Sequence, residues 1–97
     1  MSKHVVLLKF TDKGVANIRD SADRAHKFDA YAKAKGIKIL SQYWTTGPYD
    51  GVLTIEAPDE KTGAGAVLHL GMLGSVSTCM LAAYDENEFK DLLARSE

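Results

Sequence analysis

One cysteine, Cys79, serves the whole chain of 97 residues. A lone thiol excludes an internal disulfide and suits a reducing cytoplasm. An excess of one charge is missing as well: 12 basic and 13 acidic residues are interspersed, for a formal net charge of −1. Without a basic stripe there is no footprint for a phosphate backbone, so nucleic acid is not an expected partner. Long apolar runs are absent too. The opening MSKHVVLLKF has four consecutive apolar residues before Lys9, too few for a signal peptide's hydrophobic region or a membrane span. The expectation is a soluble, cytoplasmic protein with no membrane partner.

The chemical motifs are equally sparse. The chain has no catalytic triad, phosphate loop or paired acidic motif, and no internal repeat, linker or low-complexity stretch. His4, His26 and His69 lack metal-ligand spacing, so neither a metal nor a cofactor is expected. Cys79 as a nucleophile would need a base and an electropositive setting that the sequence does not display. Buried and inert is the preferred reading. What is present is ordinary globular material, 45% hydrophobic and 26% charged, sufficient for one domain over residues 1–97.

Periodicity supplies the elements. Val5 to Phe10 is a short apolar run, read as a buried strand. Thr11 or Asp12 can cap the helix that follows, in which Val15, Ile18, Ala22, Ala25, Phe28 and Ala32 recur at steps of three or four. Gly36 ends it. Unbroken, that helix would be roughly 35 Å long at about 1.5 Å per residue, against strands of about 20 Å. A break is therefore expected near Asp20-Ser21, residues that compete for backbone groups. Ile37 to Thr46 and Gly51 to Ala57 read as two further strands joined by a tight turn. Pro58-Asp59 opens a second helix. It carries Gly63, Gly65 and Gly71, each costing about 1 kcal/mol relative to alanine, and close approach to a neighbouring backbone is their expected use. Val76 to Tyr84 is the fourth strand. Asp85 caps a last helix whose Phe89, Leu92 and Leu93 form an apolar stripe.

The order β-α-β-β-α-β with a C-terminal helix, closed by right-handed crossovers, predicts an α+β, ferredoxin-like domain with a four-stranded antiparallel sheet. Both main helices then cover one sheet face. On the other face alternation places Val5, Leu7 and Lys9; Val52, Thr54 and Glu56; and Ser77, Cys79 and Leu81. None of these sets is a row of charges suited to water. A homodimer or higher homo-oligomer, with sheets paired face to face, would cover them.

Between the second and third strands lies Thr45-Thr46-Gly47-Pro48-Tyr49-Asp50-Gly51, in which Gly47, Tyr49 and Asp50 stand in GPYD. Thr11 to Gly14 with Ile18, Asp20-Ser21 and Arg24, then Tyr43-Trp44-Thr45, Glu56-Ala57-Pro58-Asp59, Leu73-Gly74 and Val76 complete a pattern covering nearly the whole chain. On these residues the sequence resembles the GYD domain family, small bacterial proteins named for the Gly-Tyr-Asp signature. The resemblance implies a dimeric α/β-barrel arrangement of ferredoxin-like subunits; it implies no particular activity. Two departures stand out. Relatives often place charged residues where this chain has Ser77 and Cys79, and the double glycine of Thr62-Gly63-Ala64-Gly65 is unusual for that helix.

Candidate site residues are weighed against plain structural roles. Pro48 favours a turn and Asp50 can lock it by accepting backbone N–H bonds, with Tyr49 covering a rim or a dimer partner. The alternative makes Asp50 a general base and Tyr49 a donor at a pocket mouth; the structural reading is preferred. Tyr43 and Trp44 point to opposite faces, one against the helices and one into the barrel. A pocket there, lined with an aromatic and with Thr54 and Thr78, would suit a flat organic molecule. Glu56 could accept a proton in it or pair with Lys9, and the ion pair is preferred. His69 could ligate haem iron, as in haem-degrading members of the wider barrel group, but a surface or capping histidine is preferred. The leading expectation is a small-ligand-binding homo-oligomer with candidate residues Trp44, Tyr49, Asp50, Thr54, Glu56 and His69. A cofactor-free enzyme of proton transfer or oxygenation and a purely structural assembly protein are the alternatives.

Overall fold

The computed structural model describes all 97 residues. Strand β1 (Ser2–Phe10) leads into helix α1 (Asp12–Ala16), a 3-10 turn (Ile18–Asp20) and helix α2 (Ser21–Ala34). Strands β2 (Lys38–Trp44) and β3 (Gly51–Ala57) form the hairpin around the GPYD turn. Helix α3 (Glu60–Met72), strand β4 (Val76–Ala83) and helix α4 (Glu86–Arg95) complete the chain. The strands form one antiparallel sheet in the order β2-β3-β1-β4. That is the ferredoxin-like α+β arrangement, with β1 and β3 central and β2 and β4 at the edges.

The helix break falls where the sequence places it. The Thr11 side chain caps α1 by accepting from the Gly14 N–H, and Asn17 separates α1 from the 3-10 turn. Gly14 is fixed there by contact: a Cβ on it would lie 2.0 Å from the Ser75 carbonyl oxygen. Gly36, with φ of 76°, ends α2 in the left-handed region that favours glycine. Asp59 caps α3 by accepting from the Thr62 N–H. That bond holds the Asp59 carboxyl below the usual carboxylate range. Asp85 and Glu88 form a reciprocal capping box at the start of α4. Lys3 reaches across to both carboxylates, at 3.4 Å and 3.3 Å. The Glu88 N–H first, and Lys3 after it, hold the Asp85 carboxyl below its ordinary range, while Glu88 and Asp85 hold the Lys3 ammonium above its own.

The core lies between the sheet and the helices. Val6, Leu53 and Ile55 are fully buried from the central strands, packed with Phe28, Ala32, Ala66 and Val67 from α2 and α3. Each large aliphatic side chain among them contributes about 1.5–3 kcal/mol by leaving water. His4, Val6 and Leu8 of β1 share this face with Ile55, Leu53 and Gly51 of β3. The opposite face carries Lys3, Val5, Leu7 and Lys9 against Glu56, Thr54 and Val52 of β3 and Ala83, Leu81, Cys79 and Ser77 of β4.

Several expectations are corrected. Strand β1 begins at Ser2 rather than Val5. Strand β2 runs only from Lys38 to Trp44 and shifts register between Ile39 and Ser41, a bulge that turns Leu40 outward. Glu56 lies opposite Lys3 and Lys38, not Lys9, which pairs with Ser77 at the far end of β1. Glu56 takes part in none of the chain's ion pairs. Cys79 is exposed on the open sheet face rather than buried. Thr54 and Thr78 fall on opposite faces and cannot line one pocket, because Thr54 is opposite Val5 while Thr78 is opposite Leu8. Of the α3 glycines only Gly63 is closely approached: a Cβ there would meet Ala57 Cβ at 3.2 Å and His4 at 3.3 Å, whereas Gly65 faces open space. Phe89, Leu92 and Leu93 do form a stripe on α4, but no residue of that helix is buried. No helix is long and apolar enough to cross a membrane.

Candidate functional site

A cavity of about 70 Å³ lies between the helix face of the sheet and helices α2 and α3. Its walls come from Leu8 and Phe10 of β1, Ser21, Arg24, Ala25 and Phe28 of α2, Gln42, Tyr43 and Trp44 of β2, Asp50, Gly51 and Leu53 around the start of β3, and Leu70, Leu73, Ser75 and Val76. The residues are carried there by ordinary periodicity. Ser21, Arg24, Ala25 and Phe28 stand at steps of three, four and seven on α2 and therefore share one face. Trp44 is opposite Gly51, so its ring points to the helices while Tyr43, opposite Val52, points to the open face.

Trp44 forms part of the mouth. Its indole N–H donates to the Ser21 hydroxyl at 2.8 Å, tying the end of β2 to the start of α2. The residue is still 53% exposed. On its outer side Trp44, Ser21, Phe10 and Asp50 also border a shallow groove of about 630 Å³ with Val15, Ile18 and Ala22. Cavity and groove thus share one wall.

Asp50 is the polar anchor of that wall. Its N–H donates to the Leu8 carbonyl at 2.8 Å and its Oδ2 accepts from the Phe10 N–H at 2.8 Å. Its own carbonyl accepts from Thr45 N–H at 2.9 Å. The carboxylate therefore clamps the GPYD turn onto the end of β1 and leaves Oδ1 for other partners. Tyr49 stands at the tip of the turn. Its carbonyl accepts from the Thr45 hydroxyl at 2.7 Å, and its ring does not line the cavity.

The remaining candidates do not converge. Thr54 and Glu56 lie on the open face, across the sheet from the cavity. His69 stacks on Tyr31 with ring centroids 4.0 Å apart and planes 9° from parallel. It joins α3 to α2 rather than facing the cavity. No general acid and base are brought together by these residues, since Asp50 and Glu56 face opposite sides of the sheet. Ser21, Arg24 and Gln42 are cavity residues that sequence reasoning does not single out for the pocket. A signal existed: a serine and an arginine on the same helical face as Ala25 and Phe28 are polar groups directed to the interior. Arg24 Nη1 donates to the Asn17 carbonyl at 2.7 Å, and its Nη2 is buried without a protein partner.

With this geometry in place, known proteins supply a context. A Thermus thermophilus protein described as a glutamine synthetase and cystathionine beta-lyase binding protein is 35% identical over 96 residues, spanning 98% of each chain. A solved structure from Thermus thermophilus aligns with a TM-score of 0.56 at 21% identity, covering 88% of this chain and 95% of that one. An Arabidopsis thaliana structure aligns with a TM-score of 0.59 at 12% identity, again covering 88% and 95%. These two likenesses extend to the fold alone, the ferredoxin-like α+β arrangement. Residues 4–93 match the GYD domain, and the chain belongs to the GYD domain family.

Proposed function

We propose that this chain is a homo-oligomeric protein-binding module. Two copies pair through the open faces of their sheets, and the assembly docks a further protein through surfaces that remain free. The observation that carries the pairing is the middle of the open face. Its two central rows, Ser41-Thr54-Val5-Leu81 and Tyr43-Val52-Leu7-Cys79, contain no charge. Tyr43 is 63% exposed and Leu81 46%. An apolar surface of that kind marks an interface, and self-complementary pairing about a two-fold axis covers it on both copies at once. The docking of another protein is supported by the Thermus thermophilus binding protein, which is similar over nearly the full length of both chains. The stripe of Phe89, Leu92 and Leu93 on α4 is the surface offered to that partner.

The test is co-elution of the purified assembly with glutamine synthetase on gel filtration. The complex is expected with the wild-type chain and lost in a Phe89→Ser, Leu92→Ser double variant that keeps its own oligomeric state. A wild-type chain that elutes apart from both glutamine synthetase and cystathionine beta-lyase would remove the docking reading.

A second reading is favoured by a separate observation: the cavity beside Trp44 holds a small organic ligand. A largely apolar lining with a few polar residues, Ser21, Arg24, Gln42 and Asp50, supports it. The volume of about 70 Å³ sets the scale, since sites for drug-sized molecules run to about 300–1,000 Å³. The flat organic molecule expected from the sequence is better matched in size by the outer groove than by the cavity.

A further inference from the structure

We infer that the outer face of helix α3 is a second self-association surface, which joins sheet-paired dimers by antiparallel packing of α3 against the α3 of another copy. The inference goes beyond the pairing of the open sheet faces, because α3 lies on the other side of the sheet.

From Thr62 to Ser75 the chain carries no Asp, Glu, Lys or Arg. Gly63, Ala66 and Val67 turn one side of α3 into the core. Gly65, Leu68 and Met72 follow Lys61 at steps of four, seven and eleven, and therefore share the opposite side. Leu68 is 65% exposed there and Met72 75%. A surface helix ordinarily turns charged and polar residues to water, and an exposed apolar patch marks an interface. Gly65 is a second, separate observation. It costs the helix about 1 kcal/mol relative to alanine, yet a Cβ on it would have nothing within 4 Å. No contact within the chain requires a glycine at that position.

Shape and charge select another copy as the occupant. The stripe is notched at Gly65 and raised at Leu68 and Met72. A two-fold axis crossing α3 midway between Gly65 and Leu68 sets Leu68 against the partner's Gly65 and Lys61 against the partner's Met72, in both directions at once. The ends of the helix agree with that direction. Asp59, Glu60 and Lys61 give the N-terminal end one net negative charge. At the C-terminal end the Lys13 ammonium donates to the Leu73 carbonyl at 3.0 Å and takes part in none of the chain's ion pairs. Antiparallel packing brings Glu60 towards the partner's Lys13, whereas parallel packing brings like ends together. A membrane surface fits less well, since Lys61 is the stripe's single basic residue. One helix face falls short of the about 1,000 Å² that a stable interface buries, so the contact forms at millimolar rather than micromolar concentration.

Sedimentation equilibrium of the full-length protein from micromolar to millimolar concentration reads the association. The wild type should rise from two copies to four or more. Leu68→Glu, a change at an exposed position, should hold at two copies throughout with its melting temperature unchanged. Gly65→Ala puts a methyl group into the seam and should weaken the millimolar association by tenfold or more. Val52→Glu, which separates the sheets, should be a monomer at micromolar and a pair at millimolar concentration; adding Leu68→Glu should return it to monomer. For the register, Lys61→Cys and Met72→Cys chains, each also carrying Cys79→Ser, are mixed and oxidised with diamide. The mixed disulfide is expected, and Lys61→Cys chains joined only to each other overturn the antiparallel arrangement. A wild-type mass that stays at two copies, or rises equally in Leu68→Glu, overturns the inference and leaves the sheet pairing in place, whether or not the face then binds phosphatidylcholine vesicles. A wild-type monomer that pairs at millimolar concentration only with Leu68 intact overturns the sheet pairing and upholds the α3 contact.

Discussion

Asp50 joins three strands at one point, through its amide to Leu8, its carboxylate to Phe10 and its carbonyl to Thr45. The sequence suggests that an aspartate after Gly-Pro-Tyr locks its own turn, and half of that is legible: the turn is locked. The partner is not legible, because Phe10 lies 40 residues away and becomes a neighbour only once β3 lies beside β1. The same blindness to register explains Glu56, which local spacing pairs with Lys9 and the sheet places between Lys3 and Lys38. Tyr49 contributes its backbone to the turn and leaves its ring outside the cavity. Replacing Asp50 by alanine leaves the Phe10 N–H without its charged acceptor, and bonds of that kind contribute about 2 kcal/mol. Urea unfolding of Asp50→Ala should show a loss of that order. Asp50→Asn, which retains an acceptor oxygen, should lose clearly less; an equal loss in both would mean that the carboxylate clamp is not what stabilises the turn.

Among the elements, the long first helix shows how much periodicity and length can settle. A continuous helix would overrun the sheet, and the chain breaks at Asn17 and the Ile18–Asp20 turn. The break also positions the cavity, since it brings Ser21 to the start of α2 and under Trp44. Helix α3 shows the limit. Three glycines suggest three close approaches, but only Gly63 has one, against Ala57 and His4; Gly71 is at ordinary distance from Thr78, and Gly65 has nothing within 4 Å. Which face of a glycine-containing helix touches the sheet depends on its rotation, and that is set by Ala66 and Val67 packing into the core. Gly65→Ala should therefore raise stability by about 0.5–1 kcal/mol, the helix-propensity difference, read as a higher midpoint in denaturant. A fall would mean that the position is covered in the assembled protein. The β2 bulge near Leu40 has no sequence signal, for no glycine or proline marks it.

For the whole molecule, the distribution of apolar side chains is legible in the sequence itself, because alternation along three strands leaves no face fit for water. The principal dimensions, 49 × 31 × 19 Å, agree with a sheet covered by a single layer of helices. The radius of gyration of 14.4 Å exceeds the about 12.5 Å of a compact chain of this length, as expected of a flat domain with α4 standing apart. A pocket between sheet and helices is legible too, but its size and its guanidinium are not, since both arise from how α2 settles against β2 and β3. Pairing of the open face with a second copy is the central claim. Native mass spectrometry of the untagged protein at micromolar concentration tests it most directly, beside a Val52→Glu variant that puts a charge in the middle of that face. Two copies or a multiple of two for the wild type, and monomer for the variant, is the predicted result; a wild-type monomer would contradict the claim.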